Sequence, residues 1–197
     1  MFARDAVLLS IDLQQWLDHP ARGRRNNRSA ERNAARLLAA WRASELPVVH
    51  VRHDALEPGS LCRAGQPGHA FKPEGQPLEG ELVIGKHRHS AFIATALEQR
   101  LRSMGCSTLV VVGADSSNSL DSTVRMSADL GFRTYLAADA TFTFEKQDWS
   151  GRLRTAEEVH DMSLANLSDE YCTIVTASWI LAQLTDVACF EQRAAVA

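Results

Sequence analysis

Short apolar runs alternate with helix-patterned segments along most of the chain, and this alternation restricts the fold more than any other feature. The clearest runs are Ala6–Ile11 and Thr108–Val112, which are apolar at nearly every position. Such uninterrupted runs are typical of parallel strands buried on both faces. Strands that alternate with helices build parallel sheets covered on both sides. We therefore expect an α/β fold with three layers, α/β/α, around a six-stranded parallel sheet.

The remaining elements follow from periodicity and from turn residues. The other predicted strands are Pro47–Val51, Glu81–Ile84, Arg133–Ala137 and Cys172–Val175. Apolar residues at helical spacing predict helices over Ser29–Ser44, Ala94–Met104, Leu120–Leu130 and Thr155–Leu167. The segment Leu56–Gly80 is rich in Gly and Pro and has no periodicity. A loop of this length in a compact domain usually serves function or a subunit contact.

Length and charge exclude several classes of protein. The 197 residues fit one domain, which we assign to residues 1–184, with residues 185–197 as a loosely held tail. A net charge of −3 gives no basic field for nucleic acid, and the basic run Arg22–Arg28 is interpreted as a solvated loop. No apolar stretch approaches the ~20 residues of a membrane span. Met1–Asp5 lacks the organisation of a signal peptide, so we expect a cytoplasmic protein.

Polar residues follow three of the predicted strands at their carboxyl ends. Asp12 follows the first strand, Lys86 the third, and Ser119 lies in the polar segment after the fourth. Open α/β sheets bind ligands beyond these ends, where the strand order reverses. If the first and fourth strands are neighbours there, Asp12 and Ser119 face each other. Lys86 lies two strands away, so its side chain must reach across ~10 Å at ~4.8 Å per strand.

Each of these residues also has a purely structural interpretation. Asp12 is suited to capping a turn after a buried strand. Lys86 stands beside His87, Arg88 and His89 and is consistent with an exposed cluster of cations. Ser119 is suited to capping the following helix. Their shared position at one edge of the sheet nevertheless favours a functional site.

The residues around these positions resemble the motifs of the isochorismatase-like cysteine hydrolases. Ser10–Gln14 is similar to the family's opening "IDxQ" and Gly85–Phe92 to its lysine segment "KxxxSAF". Gly113–Arg125 resembles the nucleophile motif, a glycine followed after a few residues by "TNxCVxxTxR". Asp139–Ala140 and Ala156–His160 fall where later motifs of the family lie. The resemblance covers nearly the whole chain in order.

The resemblance implies a fold, a triad and an oxyanion hole. The family has a six-stranded parallel sheet of Rossmann-like topology, and many members are oligomers, so we expect a homo-oligomer, either a dimer or a tetramer. Matched by motif, Asp12 is the proton carrier, Lys86 the cation, and position 119 the place of the cysteine nucleophile. The resemblance also implies a cis peptide at Ala114–Asp115 and an oxyanion hole formed by the backbone N–H groups of Asp115 and Ser119.

Ser119 departs from the family pattern. Cysteine suits this role because a helix N-terminus and a nearby cation lower its pKa, whereas a serine hydroxyl needs a base within hydrogen-bond range. A serine–lysine pair is one precedent, but it requires a neutral Lys86, which a neighbouring Asp12 carboxylate opposes. Three explanations stay open: an engineered Cys-to-Ser change, a natural replacement in an active enzyme, or a degenerate homologue without turnover.

The function most consistent with these motifs is hydrolysis of a C–N bond in a small amide, carbamoyl or ureido substrate. The alternatives are isochorismatase chemistry, in which an aspartate protonates a vinyl ether without a nucleophile, and a non-catalytic binding protein. The residues predicted to line the substrate pocket are Trp16, His53, Phe142 and Trp149.

The family's metal-binding members have an Asp-x-His after the second strand. This chain has His53-Asp54 in reversed order, so we predict no metal and no cofactor.

Overall fold

The computed structural model describes residues 5–184, and the predicted tail at 185–197 lies outside them. The strands are β1 (Ala6–Ile11), β2 (Val48–His53), β3 (Leu82–Lys86), β4 (Thr108–Ala114), β5 (Arg133–Phe142), β6 (Lys146–Gln147), β7 (Leu153–Arg154) and β8 (Thr173–Val175). The helices are α1 (Ala30–Ala43), α2 (Leu97–Ser103), α3 (Ser119–Asp129) and α4 (Ala156–Leu167), and residues 177–184 are also helical. None of the helices in this range is long and apolar enough to span a membrane.

Six of the strands form the predicted parallel sheet, in the order β3-β2-β1-β4-β5-β8. The chain first builds outward from β1 to β3, then returns to the other side of β1 with β4. The strand order therefore reverses between β1 and β4, where Ile11 is paired with Gly113. This confirms the predicted fold class and places the ends of β1 and β4 side by side.

Helices cover the sheet on both faces, as the buried strands required. On one face, α1 and the helical segment 177–184 pack on Leu8, Val110 and their neighbours. Trp41 of α1 is fully buried there, and its indole Nε1 donates to the Ala6 carbonyl oxygen at 3.2 Å. On the other face, α2, α3 and α4 pack on Leu9, Val111 and the residues beside them. The carboxyl ends of the strands therefore lie between two layers of helices.

Several boundaries differ from the sequence prediction. β5 continues to Phe142 instead of ending at Ala137, and the register between β4 and β5 shifts between Val111 and Gly113. The Asp139 carboxylate, which interrupts the apolar pattern, accepts from the N–H of Ala177 at 2.7 Å. A tertiary contact thus satisfies a polar residue that local patterning would place at the end of a strand. β3 likewise extends to Lys86, and α2 begins only at Leu97.

The long loop between β2 and β3 is fastened to the body of the protein by a buried ion-pair network. Lys72 of this loop is buried, and its ammonium group lies 2.6 Å from carboxylate oxygens of both Glu31 and Asp18. Arg25 forms a second ion pair with Glu31 and stacks on the ring of Phe142 at 3.4 Å. The basic run that includes Arg25 is therefore partly packed into the structure rather than solvated, contrary to the sequence interpretation.

Because of this network, the free energy of unfolding depends on pH in the acid range. Burial opposes ionisation of Glu31, but hydrogen bonds from Arg25 and Lys72 outweigh burial and lower its pKa from 4.5 to about 2. A lowered carboxyl pKa stabilises the folded state above the unfolded pKa, and that stabilisation is lost as pH falls from about 4.5 towards 2. We expect Glu31→Gln to lower the free energy of unfolding at pH 7 and to differ less from the parent at pH 3. Urea titrations of both proteins at pH 7 and pH 3 measure the free energies of unfolding. The prediction is contradicted if the parent and Glu31→Gln differ by the same amount at both pH values.

Gly113 is required where β4 passes β1. Its φ is +119°, and a Cβ at this position would lie 2.0 Å from the carbonyl oxygen of Ile11. We expect Gly113→Ala to lower the free energy of unfolding by at least about 3 kcal/mol, because backbone must move in the centre of the sheet. Gly59→Ala is the matched control, since a Cβ there has no neighbour within 4 Å. Equal effects of the two substitutions in urea titrations would contradict this.

Candidate active site

A buried ammonium group joins the three residues that the sequence placed at strand ends. The Nζ atom of Lys86 lies 2.8 Å from Asp12 Oδ2 and 3.1 Å from Ser119 Oγ. The side chain of Lys86 is 0% exposed and that of Asp12 is 2% exposed. The side chain of Lys86 thus reaches inward across β2 and contacts Asp12, although the two residues follow strands that are two positions apart in the sheet. The three groups share one water-poor location.

The Nζ atom of Lys86 has a third polar neighbour besides Asp12 and Ser119. Its third neighbour is the Nδ1 atom of His53, at 3.2 Å. Burial, and then the positive charge of Lys86, lower the pKa of His53, which favours its neutral form. With the proton on Nε2, Nδ1 is an acceptor. An ammonium group has three donors and no lone pair, and here each donor meets an acceptor. Three possible acceptors thus surround the Lys86 side-chain nitrogen.

The backbone after β1 turns so that Asp12 faces this cation. Asp12 has a φ of +52°, its N–H donates to the Val51 carbonyl at 2.9 Å, and its own carbonyl accepts from Gln14 at 2.7 Å. The Gln14 side chain then holds His53 by both backbone groups, accepting from its N–H and donating to its carbonyl oxygen. This clamp fixes β2 beside β1 and orients His53 towards Lys86.

One oxygen of the Asp12 carboxylate is left without a partner. Asp12 Oδ1 is buried, and no group among residues 5–184 forms a hydrogen bond with it. A buried polar atom without a partner costs free energy, and such atoms are rare in folded proteins. The other oxygen is engaged by Lys86. The free oxygen is therefore the atom of this site that is ready to accept a proton or a hydrogen bond from a ligand.

Residue 119 opens a helix that begins beside Asp12. Ser119 is the first residue of α3, where a backbone N–H has no acceptor within its own helix. The peptide bond between Ala114 and Asp115, just beyond β4, is cis. The helix N-terminus favours negative charge at this point. Cation, helix terminus and carboxylate thus converge on residue 119.

The Asp115 side chain is held by several donors, including one that the sequence analysis did not identify. Its Oδ1 accepts from the backbone and hydroxyl of Ser117 at 3.1 and 3.0 Å, and also from Thr143. Its Oδ2 accepts from Arg22 at 3.3 Å. Arg22 comes from the basic run that was interpreted as solvated. Trp16, six positions earlier in the sequence, was the only nearby residue that indicated that Arg22 would pack against an aromatic ring.

The residues predicted to line the substrate pocket are distributed differently from expectation. His53 touches Lys86, and Trp16 is half-buried against Arg22. Phe142 is fully buried in the core, in edge contact with Phe144. Trp149 is 99% exposed in the turn between β6 and β7, contrary to the expectation, because this turn extends away from the core. Trp149 instead borders a separate surface pocket, together with Arg154 and Met162, which includes none of the three residues Asp12, Lys86 and Ser119.

Possible metal ligands are not clustered. Within residues 5–184, no group of three or more His, Cys, Asp or Glu side chains is arranged to hold a metal ion. Asp54, next to His53, instead accepts from His69 and Arg52, both at 2.7 Å. The side chains that meet at Lys86 Nζ supply a carboxylate, an imidazole and a hydroxyl group.

Comparisons with known proteins agree with this architecture. Residues 6–178 match the family model of the isochorismatase domain. A crystal structure of a hydrolase of the isochorismatase family from Chromobacterium violaceum has 53% sequence identity and a TM-score of 0.92, covering 94% of this chain and 96% of the other. The isochorismatase family protein YrdC of Bacillus subtilis is 36% identical over 89% of this chain and 94% of its own.

A more distant relative is named after an enzymatic activity. The maleamate amidohydrolase of Pseudomonas putida is 27% identical, over 95% of this chain and 90% of its own length. The high TM-score to the Chromobacterium violaceum structure shows that the two chains share one fold. This chain belongs to the isochorismatase family of hydrolases.

Proposed function

We propose that this protein is an amidohydrolase that cleaves a C–N bond of a small amide, carbamoyl or ureido substrate. The observation that carries the proposal is the Asp12 carboxylate, which has one oxygen bound to a buried ammonium and the other without a partner. A carboxylate in this state can take a proton from a nucleophile at position 119. The relationship to a maleamate amidohydrolase supports the same class of reaction.

The reaction runs through a covalent acyl intermediate. The side chain of residue 119 attacks the substrate carbonyl carbon while Asp12 takes its proton. The backbone N–H groups of Asp115 and Ser119 stabilise the oxyanion, a contribution of ~3 kcal/mol per donor in known cases. Asp12 passes the proton to the leaving nitrogen, and the C–N bond breaks. Asp12 then deprotonates a water molecule that attacks the acyl group, which releases the acid and returns the proton to residue 119.

Serine at position 119 slows this sequence for a specific reason. The ammonium of Lys86 donates to Ser119 Oγ and stabilises an anion there, but it cannot accept the hydroxyl proton. A thiol gives up its proton far more readily than a hydroxyl. The Ser–Lys mechanism considered from the sequence is therefore disfavoured, and Asp12 is the base for either nucleophile.

Isochorismatase chemistry is the second candidate. Protonation of a vinyl ether requires an acid in a water-poor site and no nucleophile. The unpartnered oxygen of Asp12 and the serine at position 119 are both compatible with it. The two candidates differ in their product, because only amide cleavage releases ammonia or an amine.

Replacing the nucleophile tests the amidohydrolase proposal. We expect Ser119→Cys to raise the rate of ammonia release from at least one member of a panel of small amides and ureides. Adding Asp12→Asn to that variant should lower the rate by about 10²–10⁴-fold, the usual contribution of a general base. Ammonia release measures both effects. Cleavage of isochorismate without ammonia release from any amide, by either nucleophile, would assign the second function instead.

A double-mutant cycle tests whether Asp12 and Lys86 form a charged pair. We expect Lys86→Met to lower the free energy of unfolding by about 3–5 kcal/mol, because the buried Asp12 carboxylate loses its counter-charge. Asp12→Asn combined with Lys86→Met should be more stable than Lys86→Met alone, since no unpaired charge remains. Denaturant titrations of the four proteins measure the coupling. A double variant less stable than Lys86→Met alone would show that the pair is not ionised.

A further inference from the structure

The loop between β4 and α3 carries the two backbone N–H groups that the proposed mechanism uses. We call residues 115–119 the oxyanion loop, because its first and last members, Asp115 and Ser119, are the proposed oxyanion donors. Between them, the N–H of Ser116 donates to the Phe142 carbonyl oxygen of β5 at 3.0 Å. The positions of the two donors therefore depend on how the residues between them are held.

Ser116 is also fastened to helix α4, by a buried hydrogen bond between side chains. Its Oγ atom lies 2.8 Å from the Nδ1 atom of His160, and both side chains are buried. Helix α4 begins at a capping box, in which Thr155 and Glu158 each accept from the backbone N–H of the other. The hydrogen bond thus joins the oxyanion loop to a helix whose start is fixed.

The surroundings of the His160 ring favour a neutral imidazole that accepts from Ser116. Burial lowers the pKa of His160, and a hydrogen bond with the backbone of Ala138 only partly opposes this effect. The amide nitrogen of Asn27 lies 3.3 Å from the Nε2 atom, but it donates to the carbonyl oxygens of Ala138 and Thr141, at 2.9 and 2.7 Å. Those two bonds use both hydrogens of the amide. With the ring proton on Nε2, Nδ1 is the acceptor and the Ser116 hydroxyl is the donor.

Other side chains of the oxyanion loop are held by cations that solvent can reach. Asp115 accepts from Arg22, and the Ser117 hydroxyl accepts from the exposed Lys146 at 2.6 Å. Contacts of exposed charges contribute little to rigidity, because water screens them. Loss of the His160 ring would instead leave the buried Ser116 hydroxyl without this acceptor, which costs free energy. The loop relieves that cost by shifting, and its two N–H donors shift with it.

We propose that His160 is a positioning residue that fixes the oxyanion loop through the Ser116 hydroxyl. It holds the N–H groups of Asp115 and Ser119 in the geometry that the oxyanion requires, and it takes no part in proton transfer. The inference rests on the proposed amidohydrolase function for the oxyanion itself, since protonation of a vinyl ether creates none. Because the oxyanion forms only after attack on the carbonyl, a loosened loop lowers kcat and leaves KM nearly unchanged.

The kinetic test uses the Ser119→Cys protein and the amide that it hydrolyses fastest. We expect Ser116→Ala, which removes only the hydroxyl, to lower kcat about tenfold and to change KM less than about twofold; outright loss of an oxyanion donor costs about 10²–10³-fold. Ser163→Ala is the matched control, because that hydroxyl is on the same helix and donates to the Val159 carbonyl oxygen within α4. Equal losses of kcat in the two variants, or a loss carried by KM alone, would overturn the inference.

Two substitutions of His160 separate positioning from packing. His160→Asn keeps an acceptor near the position of Nδ1, whereas His160→Leu fills similar space without one. We expect His160→Leu to lower kcat about tenfold and His160→Asn to regain most of that loss. Adding Ser116→Ala to His160→Leu should cause no further loss, because both act through one hydrogen bond. Additive losses, or equal kcat values for His160→Asn and His160→Leu, would contradict the proposal.

Hydrogen exchange measured by mass spectrometry examines the same loop without turnover. In the Ser119 protein, we expect Ser116→Ala and His160→Leu to speed amide exchange in the peptide covering residues 113–120 about tenfold, while peptides from β1 exchange as in the parent. If this is found while no amide is hydrolysed by either nucleophile, the anchoring of the loop by His160 stands and the amidohydrolase proposal fails. If amides are hydrolysed but neither exchange nor kcat responds, the positioning role is overturned.

Discussion

A single buried ammonium group organises the centre of this protein. Lys86 is fully enclosed, and each of its three N–H donors meets an acceptor on a different element: Asp12 after β1, His53 at the end of β2 and Ser119 at the start of α3. A buried charge is tolerated only when its partners are in place. The positions of three strand ends are thus coupled through one side chain, and the same coupling brings a carboxylate to residue 119.

The sheet makes this arrangement possible through its connectivity. The strand order reverses between β1 and β4, so the polar residues that follow these two neighbouring strands lie side by side. Close passage of β4 past β1 requires a glycine at position 113. The loop after β2 is held from the side by the ion pairs of Lys72 with Glu31 and Asp18. Rigid strands and a fastened loop therefore surround the residues proposed to act on the substrate.

Much of the site could be predicted because its residues carry local signals. Asp12 directly follows an apolar strand, Ser119 lies in the polar segment after another, and the surroundings of both resemble family motifs. Lys86 was less certain, since its reach across β2 depends on side-chain direction and not on spacing. Arg22 was misinterpreted because its partner Asp115 is 93 positions away and its second stacking ring, Phe144, is also remote. Trp149 was predicted to line the pocket because it follows the fifth strand, but it lies in the exposed loop at 148–152 that joins β6 to β7.

The amino-acid sequence by itself determined the alternation of strands and helices, the parallel sheet and the residues that stand at the strand ends. These depend on periodicity and turn chemistry, which act over a few neighbouring residues. Only the tertiary structure decided which strand ends meet, that Lys86 is buried between Asp12 and Ser119, and that Arg22 pairs with Asp115. Those features depend on contacts between residues far apart in the chain, which exist only once the sheet is assembled.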